Sequence, residues 1–334
     1  MDTNRIFNYY RHAFGKLNRD TKNGGAPHKP VLLLSVLHEY AMGRITTNQV
    51  MITPELTRTF SNYWNALVTT GHNKLFALPF YHLSNEKGGW WRLHPMPGCE
   101  VWVQNGGSMR SFVNLSAAVA YAELDVNLTA LLIQPNTRQE LRQQLLDSYF
   151  LGQAVPFVAD DSASYVKKLE SEIVNENQAE YQATMQELRV EAETPMAQKA
   201  EPEKYAIEVY NRGTVFRREI LKLYHDTCCI SGLHVAATFS ITMVDACHIK
   251  PFALGFDNTL TNGIALCPNL HRAFDRGLLT VDANYRVVFS SAFTENANSS
   301  FQLRQLEGVE LMLPAQHRPS LEAFAWHRQQ VFHS

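Results

Sequence analysis

The N-terminal part of the chain carries several apolar patterns with helical spacing. Residues 1–14 repeat apolar positions every three or four residues, as an amphipathic helix does. Thr53 followed by Pro54 is typical of a capped helix start, and Pro30 opens an apolar run in the same way. The helices predicted here are residues 1–14, 30–37, 53–64, 116–124 and 137–149.

An aromatic-rich stretch interrupts these helices. Residues 75–83 and 90–93 are apolar, and Glu86-Lys87-Gly88-Gly89 between them has the composition of a turn. Such runs separated by a glycine-containing turn predict a β-hairpin.

The middle of the chain is polar. Residues 160–192 have an imperfect apolar seam that predicts one polar helix, and residues 193–202 have the Pro, Ala, Glu and Lys content of a linker. The seam could pair with a second copy of the chain or lie against a domain, but we expect a solvated spacer.

The C-terminal part predicts a hairpin packed on a helix. Residues 215–224 predict a helix, residues 241–249 a strand, and residues 263–267 a short return strand. Pro268 then opens a further helix. The expected fold class is α+β, with a mostly helical N-terminal domain (1–158) that includes the β-hairpin, a helical linker (159–204) and a C-terminal domain (205–334).

Composition describes an ordinary globular protein, with 45% hydrophobic and 19% charged residues among 334. The net charge of −2 hides an uneven distribution: 14 basic against 10 acidic residues in 1–158, 5 against 11 in 159–204, and 11 against 11 in 205–334. A net +4 in the first segment is too small to imply nucleic-acid binding by itself, so affinity would need local patches or a pocket.

The chain shows no membrane or export signal. No apolar run approaches the roughly 18 residues needed to span a bilayer, and Met1-Asp2-Thr3-Asn4-Arg5 begins no signal peptide. Five cysteines without framework spacing indicate a reducing compartment. We therefore expect a cytoplasmic protein with no membrane partner.

The helix after Pro268 carries candidate chemistry. His271 and Asp275 are four residues apart, so both can face one metal ion. His248 on the preceding strand would face the same point, and an imidazole suits a general base beside a divalent cation. Asp245, three residues earlier, could complete the metal shell or orient the base.

These residues resemble the HNH endonuclease family, whose fold is two strands and a helix around one metal. His248, Asn262 and His271 match the His, Asn and His residues after which the family is named. The motif Ala246-Cys247-His248-Ile249-Lys250-Pro251-Phe252 resembles the branch found in bacterial restriction enzymes of the McrA type. The resemblance covers roughly the last third of the chain. It implies that His248 is the general base, that His271 binds metal, and that Asn262 holds the loop and the base in place.

Two departures from the family affect the expected cofactors. Family members often hold a structural zinc with two Cys-x-x-Cys pairs, whereas this chain has Cys228 with Ser231 and Cys267 with Leu270. We therefore expect no structural zinc. The residue before the base, often a metal ligand in the family, is Cys247. Mg²⁺ or Mn²⁺ is expected, with Co²⁺ or Ni²⁺ as further candidates, and Asp245 is preferred to a soft thiolate as the third ligand.

Three N-terminal motifs resemble the sulfur-binding domain of phosphorothioate-dependent restriction endonucleases. In those proteins the sulfur-binding domain precedes an HNH domain, the same order as in this chain. The matching motifs are Ala26-Pro27-His28-Lys29-Pro30, Leu78-Pro79-Phe80-Tyr81-His82-Leu83 and Gly89-Trp90-Trp91-Arg92-Leu93. The resemblance implies an apolar pocket for sulfur at Leu78, Pro79, Tyr81 and His82, with phosphate contacts from His28 and Lys29. Sulfur is larger and less strongly hydrated than oxygen, so an apolar pocket favours it.

The sequence thus predicts a metal-dependent endonuclease that acts on double-stranded, phosphorothioated DNA. Arg217, Arg218 and Lys250 are candidate phosphate contacts. A homodimer is attractive because one active site cuts one strand. The alternatives are an HNH endonuclease directed to methylated bases or to a specific sequence, and a DNA-binding protein without catalysis.

Overall fold

The computed structural model describes residues 3–151, 160–235, 242–296, 298 and 302–334. Their contacts divide the chain into two compact units. Unit 1 comprises Met1–Val166 and Arg189–Asn211, and unit 2 comprises Lys167–Leu188 and Arg212–Ser334. Both units therefore take residues from the segment 159–204. The chain is an α+β protein with small sheets and many helices.

Unit 1 is mostly helical around one apolar core. Its helices are α1 (Thr3–Gly15), α2 (His28–Ala41), α3 (Pro54–Leu67), α4 (Ala77–His82), α5 (Glu100–Gln104), α6 (Phe112–Ala118), α7 (Val126–Ile133) and α8 (Pro135–Tyr149). The strands β1 (Gln49–Val50), β2 (Trp91–Pro95) and β3 (Val119–Leu124) form an antiparallel sheet in the order β1-β3-β2. Thr53 caps α3 by accepting a hydrogen bond from Leu56 N, as predicted.

The predicted aromatic hairpin is wrong. The stretch before the turn forms α4, and β2 pairs with β3 instead. Phe76, Pro79, Phe80 and Leu83 are all buried, so burial recurs at helical spacing and includes two adjacent residues, whereas a strand would alternate. The carboxylate of Glu203 accepts hydrogen bonds from Phe76 N (2.6 Å) and Ala77 N (3.2 Å) and so satisfies amides at the start of this helix.

The helix predicted over residues 116–124 is also wrong from Val119 onward. Helix α6 ends at Ala118, and the chain continues directly as β3. Ala122 and Leu124 of this strand are fully buried, whereas Tyr121 and Glu123 between them are partly exposed. This alternation is the period of a strand.

The polar segment forms two helices rather than one. Helix α9 spans Ser162–Asn175 and α10 spans Gln178–Ala192. Asn177 accepts hydrogen bonds from Ala179 N and Glu180 N, and Glu180 accepts one from Asn177 N. This reciprocal capping starts a new helix at the break.

The expectation of a solvated spacer is wrong as well. The apolar seam is buried at Val166, Leu169, Ile173, Tyr181 and Met185. The segment of linker composition, residues 193–202, contains a short helix, α11 (Pro195–Ala200), which is capped by Thr194.

Unit 2 is built around a hairpin and a helix. Helix α12 (Lys204–Leu223) contributes its residues from Arg212 onward to this unit. The hairpin strands are β4 (Asp245–His248) and β5 (Gly263–Leu266), separated by the short helix α13 (Phe252–Gly255). Helix α14 (Pro268–Asp275), strands β6 (Leu279–Val281) and β7 (Val287–Phe289), and helix α15 (Leu321–Gln330) complete it. The strand predicted over 241–249 is confirmed from Asp245; Ile241 lies outside the described residues. Across the described ranges, no helix is long and apolar enough to cross a membrane.

His327 holds α15 against this unit as a neutral side chain. Its imidazole is 1% exposed, stacks on Phe274 at 3.8 Å, and hydrogen-bonds Thr280 Oγ1 (2.9 Å) and Phe274 O (3.1 Å). Burial lowers the pKa of His327 to about 4. An unfolded histidine has a pKa of about 6.5, so between these values only the unfolded chain takes up the proton.

We therefore expect the stability of unit 2 to fall as the pH decreases from 6.5 to 4. The contribution of His327 to this loss reaches about 3 kcal/mol, since one pKa unit corresponds to about 1.4 kcal/mol. Melting curves between pH 7.5 and 4.5 should show a shallower pH dependence for His327→Leu, although this variant is less stable at pH 7.5. An equal dependence in both proteins would contradict the neutral state of His327.

Candidate active site

The β4–β5 hairpin places His248 against α12. In its antiparallel register His248 is opposite Gly263. A Cβ at Gly263 would lie 2.4 Å from Ile220 Cδ1 and 2.8 Å from Phe216 Cζ, so any larger residue would force these two side chains to move. The close approach lets Phe216 stack on the His248 imidazole with ring centroids 4.1 Å apart. Backbone packing therefore fixes the plane of the candidate base.

The hydrogen bonds of His248 define which nitrogen carries its proton. Its Nε2 lies 2.8 Å from Asn258 Oδ1, while Asn258 Nδ2 donates to the Tyr181 hydroxyl at 3.0 Å. The second bond orients the amide so that its oxygen faces His248, which therefore donates through Nε2. Among the described residues, Nδ1 has no hydrogen-bond partner, so its lone pair is available. Burial lowers the pKa of His248 despite the Asn258 bond and the nearby carboxylate of Asp257.

Asn262 supports the loop that follows the base. Its side chain accepts a hydrogen bond from Lys250 N and donates to Lys250 O and Asp257 O, at 2.9 to 3.0 Å. Its own carbonyl accepts a hydrogen bond from Ile249 N. The residue is 2% exposed. Asn262 thus ties both ends of the loop to the hairpin and does not itself face solvent.

Helix α14 brings the predicted metal ligands together around His271. The His271 Nε2 atom lies 3.4 Å from Asp275 Oδ2, and its Nδ1 atom lies 3.5 Å from Asp245 Oδ2. The two carboxylates therefore face opposite nitrogens of one ring. A metal ion binds a single imidazole nitrogen, so one carboxylate can share the ion with His271 while the other orients the ring.

Cys247 belongs to the same cluster. The ligand atoms of Cys247, His271 and Asp275 all lie within 4.8 Å of one another. The Cys247 thiol is buried, lies 3.9 Å from Asp275 Oδ1, and has its pKa raised by burial. Imidazole, carboxylate and thiol donors fit a divalent cation, and a thiol favours softer ions than Mg²⁺.

The candidate phosphate contacts already have protein partners. Arg217 lies 3.3 Å from Asp245 Oδ1, and Arg218 lies 2.5 Å from Glu170 Oε1. The Lys250 ammonium lies 5.5 Å from the ring centroid of Trp326. Both arginine side chains are more than 40% exposed, so they remain accessible to a ligand.

The two cysteines at the zinc-knuckle positions also meet. Hydrogen bonds from the Cys267 thiol and from Ser231 lower the pKa of the buried Cys228 thiol. Ser231 occupies one position where family members have a further cysteine, and Leu270 occupies the other. All five cysteines of the chain are free thiols.

Unit 1 contains a cavity of about 300 Å³ at the predicted recognition residues. It is lined by Asn18, Arg19, Asp20, Ala26, His28, Lys29, Leu78, Pro79, His82 and Asn85. Five of the six residues predicted to bind sulfur or phosphate therefore line one cavity. The exception is Tyr81, whose hydroxyl donates to Val103 O and which does not line the cavity.

The basic side chains of this cavity are less cationic than the sequence suggests. The Lys29 ammonium is buried and pairs with the Glu86 carboxylate. Burial lowers the pKa of His28 to about 4, and its Nε2 lies 2.9 Å from Asn73 O. Burial and the charge of Lys29 lower the pKa of His82. Both histidines are thus neutral near pH 7, and Arg19 is the cation without such a buried carboxylate pair.

Sequence patterns did not indicate every residue of these sites. Asn258 and Tyr181 were missed, and so was Arg19. Asn258 sits in a loop without periodicity, and Tyr181 lies in the segment taken for a spacer. The capping pattern at Asn177 and Glu180 could have revealed a separate helix with Tyr181 in its first turn.

Comparison with known proteins agrees with the architecture of this site. Residues 228–282 match the family model described as HNH endonuclease, so unit 2 contains an HNH nuclease domain. One solved structure, titled "Modification dependent TagI restriction endonuclease", is similar with 21% identity and a TM-score of 0.28. The similarity covers 35% of this chain and 37% of that one. No curated protein matches the sequence.

Proposed function

We propose that this chain is a modification-dependent restriction endonuclease that recognises phosphorothioated DNA through unit 1 and hydrolyses the backbone through the HNH domain. Support for the recognition half comes from one observation: the cavity that gathers His28, Lys29, Leu78, Pro79 and His82. Support for the nuclease half comes from the base and the ligand cluster that the HNH domain assembles.

His248 is the general base in this proposal. Its Nδ1 lone pair accepts a proton from the attacking water, while Asn258 holds the proton on Nε2. Phe216 keeps the ring in place through the proton transfer. The lowered pKa keeps the imidazole neutral, and therefore able to act as a base, near pH 7.

His271 and Asp275 hold the divalent cation, with Cys247 beside them and Asp245 orienting His271 through Nδ1. When bound, the cation polarises the phosphodiester and stabilises the leaving oxygen. Mg²⁺ and Mn²⁺ are the proposed ions. Because one such site cuts one strand, we further propose that two copies of the chain act on a duplex.

Sulfur recognition follows from the chemistry of the cavity. Leu78, Pro79 and Ala26 supply apolar surface, which favours a weakly hydrated sulfur over a phosphate oxygen. Pairing with Glu86 removes much of the positive charge of Lys29 from the cavity. The cavity would therefore discriminate by contact surface, while Arg19 supplies attraction to the backbone.

The test compares cleavage of two otherwise identical plasmids, one phosphorothioated and one unmodified, in Mg²⁺ or Mn²⁺. We expect cutting of the modified plasmid only. Leu78→Gln should lower the rate on modified DNA at least about tenfold, because a polar side chain replaces the apolar wall and hot-spot contacts are worth about 2 kcal/mol or more.

The matched control is Val113→Ser, which changes an exposed apolar residue of unit 1 outside the cavity and should cut as the unmutated protein does. Equal cutting of both plasmids would support the nuclease activity and contradict sulfur recognition. Competition with methylated duplexes would then test whether unit 1 recognises methylated bases instead. Cutting of neither plasmid would contradict the nuclease activity as well.

A further inference from the structure

The loop after the candidate base exposes apolar side chains. Leu254 is 65% exposed and Phe256 is 37% exposed, and Pro251 and Ala253 are exposed beside them. Contiguous apolar surface of this kind is typical of a contact site. We call residues 251–256 the apolar loop.

The apolar loop is held in one conformation. Asn262 binds the backbone at Lys250 and at Asp257, on either side of the loop. Gln182 Nε2 donates to Gly255 O at 2.5 Å. The exposed side chains therefore project from a fixed scaffold and lose little conformational freedom on binding.

Phe256 has a backbone conformation that glycine normally provides. Its φ of 47° and ψ of 41° place it in the left-handed region at the end of α13. Glycine is the usual residue at this position of a helix end, and a bulky residue there is strained. In this chain the glycine, Gly255, comes one residue too early, and Phe256 occupies the left-handed position. Such strain is concentrated at functional sites.

We propose that the apolar loop is a DNA wedge: Leu254 and Phe256 insert into the minor groove and partly unstack the bases beside the phosphate that His248 attacks. This inference rests on the proposed nuclease function. The loop begins three residues after His248, and the ring centroid of its residue Phe252 lies 6.2 Å from that of His248, so DNA bound at the base lies close to the loop. Apolar side chains that enter the minor groove unstack base steps and kink the duplex.

Charge around the loop favours DNA as the occupant. Lys250 immediately precedes the loop, and its side chain packs within 3.3 to 3.5 Å of the position a Cβ on Gly255 would take. The neighbouring carboxylate, Asp257, is 3% exposed and accepts a hydrogen bond from Thr259 N. The loop surface thus combines apolar contacts with a nearby cation, which suits stacked bases and their phosphates.

The test uses the full chain and measures single-turnover nicking of a supercoiled phosphorothioated plasmid at saturating enzyme. Phe256→Gly should lower the rate about tenfold, because base–aromatic contacts contribute that much per base. Its melting temperature should change little, because glycine adopts the left-handed conformation without strain and this gain offsets the lost ring contact between Phe256 and Phe252, whose centroids lie 5.7 Å apart. Leu254→Ser should lower the rate several-fold. Met312→Ser, which changes another exposed apolar residue of unit 2, should leave the rate unchanged.

A second measurement reports on the DNA. With the cleavage position mapped, 2-aminopurine placed next to it should become brighter when His248→Ala protein binds the uncut duplex, since unstacking relieves quenching. The double variant with Phe256→Gly should lose this increase. Unchanged nicking by Phe256→Gly would overturn the wedge. A difference in sedimenting mass between the free variant and the free unmutated protein would also overturn it, because it would indicate a contact between copies. Absence of nicking by the unmutated protein would contradict the proposed function itself, and the wedge with it.

Discussion

Replacing His248 with Ala is expected to lower the rate of DNA cleavage by about 10²- to 10⁴-fold, the usual contribution of a general base. Affinity for phosphorothioated DNA should stay the same, because the proposed recognition cavity lies within unit 1 and His248 within unit 2. Single-turnover cleavage and binding anisotropy on the same duplex measure the two quantities separately.

Asn258→Leu gives a second, finer comparison. This change leaves His248 in place but removes the acceptor that holds the proton on Nε2, so a fraction of the imidazole carries its proton on Nδ1 and cannot act as a base. We expect a loss of about tenfold, smaller than that of His248→Ala.

His12→Ala, a change at an exposed residue of α1, is the control and should behave as the unmutated protein. Loss of both cleavage and binding in His248→Ala would contradict the division of labour between the two units. Full cleavage by that variant would exclude His248 as the base.

The nuclease hairpin could be predicted because its signals are local. The apolar strands, Pro268 at the helix start and the four-residue spacing of His271 and Asp275 all lie within 31 residues, from Asp245 to Asp275. Helix α14 and the β4–β5 pairing are confirmed.

Long-range partners could not be predicted in the same way. Tyr181 orients Asn258 from 77 residues away, and nothing in its local pattern links the two. The strand predicted before Gly88 was wrong for another reason: a short apolar run fits a strand or a buried helix equally well. Burial of the adjacent residues Pro79 and Phe80, together with Leu83, identifies the helix, because a strand would alternate.

The geometry adds Cys247 to the candidate metal ligands. Preference for oxygen ligands favoured Asp245 over a thiol as the third ligand. The fold instead places Cys247 with His271 and Asp275, while Asp245 faces the other ring nitrogen and also pairs with Arg217. Variants of Asp245 and Cys247 distinguish these two candidates for the third ligand.

Replacing His271 with Ala should lower cleavage at least about 100-fold in 1 mM Mg²⁺, because the cluster loses its central ligand. Chelation with EDTA should abolish cleavage by the unmutated protein, and excess Mn²⁺ should restore it. Calorimetric titration of the free protein with MnCl₂ reports ion binding without DNA, so a loss of ion affinity can be separated from a loss of catalysis.

Two further variants separate the remaining ligands. If Asp245 only orients His271, Asp245→Asn should weaken Mn²⁺ binding by about 10- to 100-fold, the usual effect of a partner to a metal-bound histidine. If Cys247 is the third ligand, Cys247→Asp should raise activity in Mg²⁺ relative to Mn²⁺, because a carboxylate is a harder donor than a thiol. An unchanged ratio of the two activities in Cys247→Asp would place the thiol outside the metal shell, and full cleavage in EDTA would exclude metal dependence.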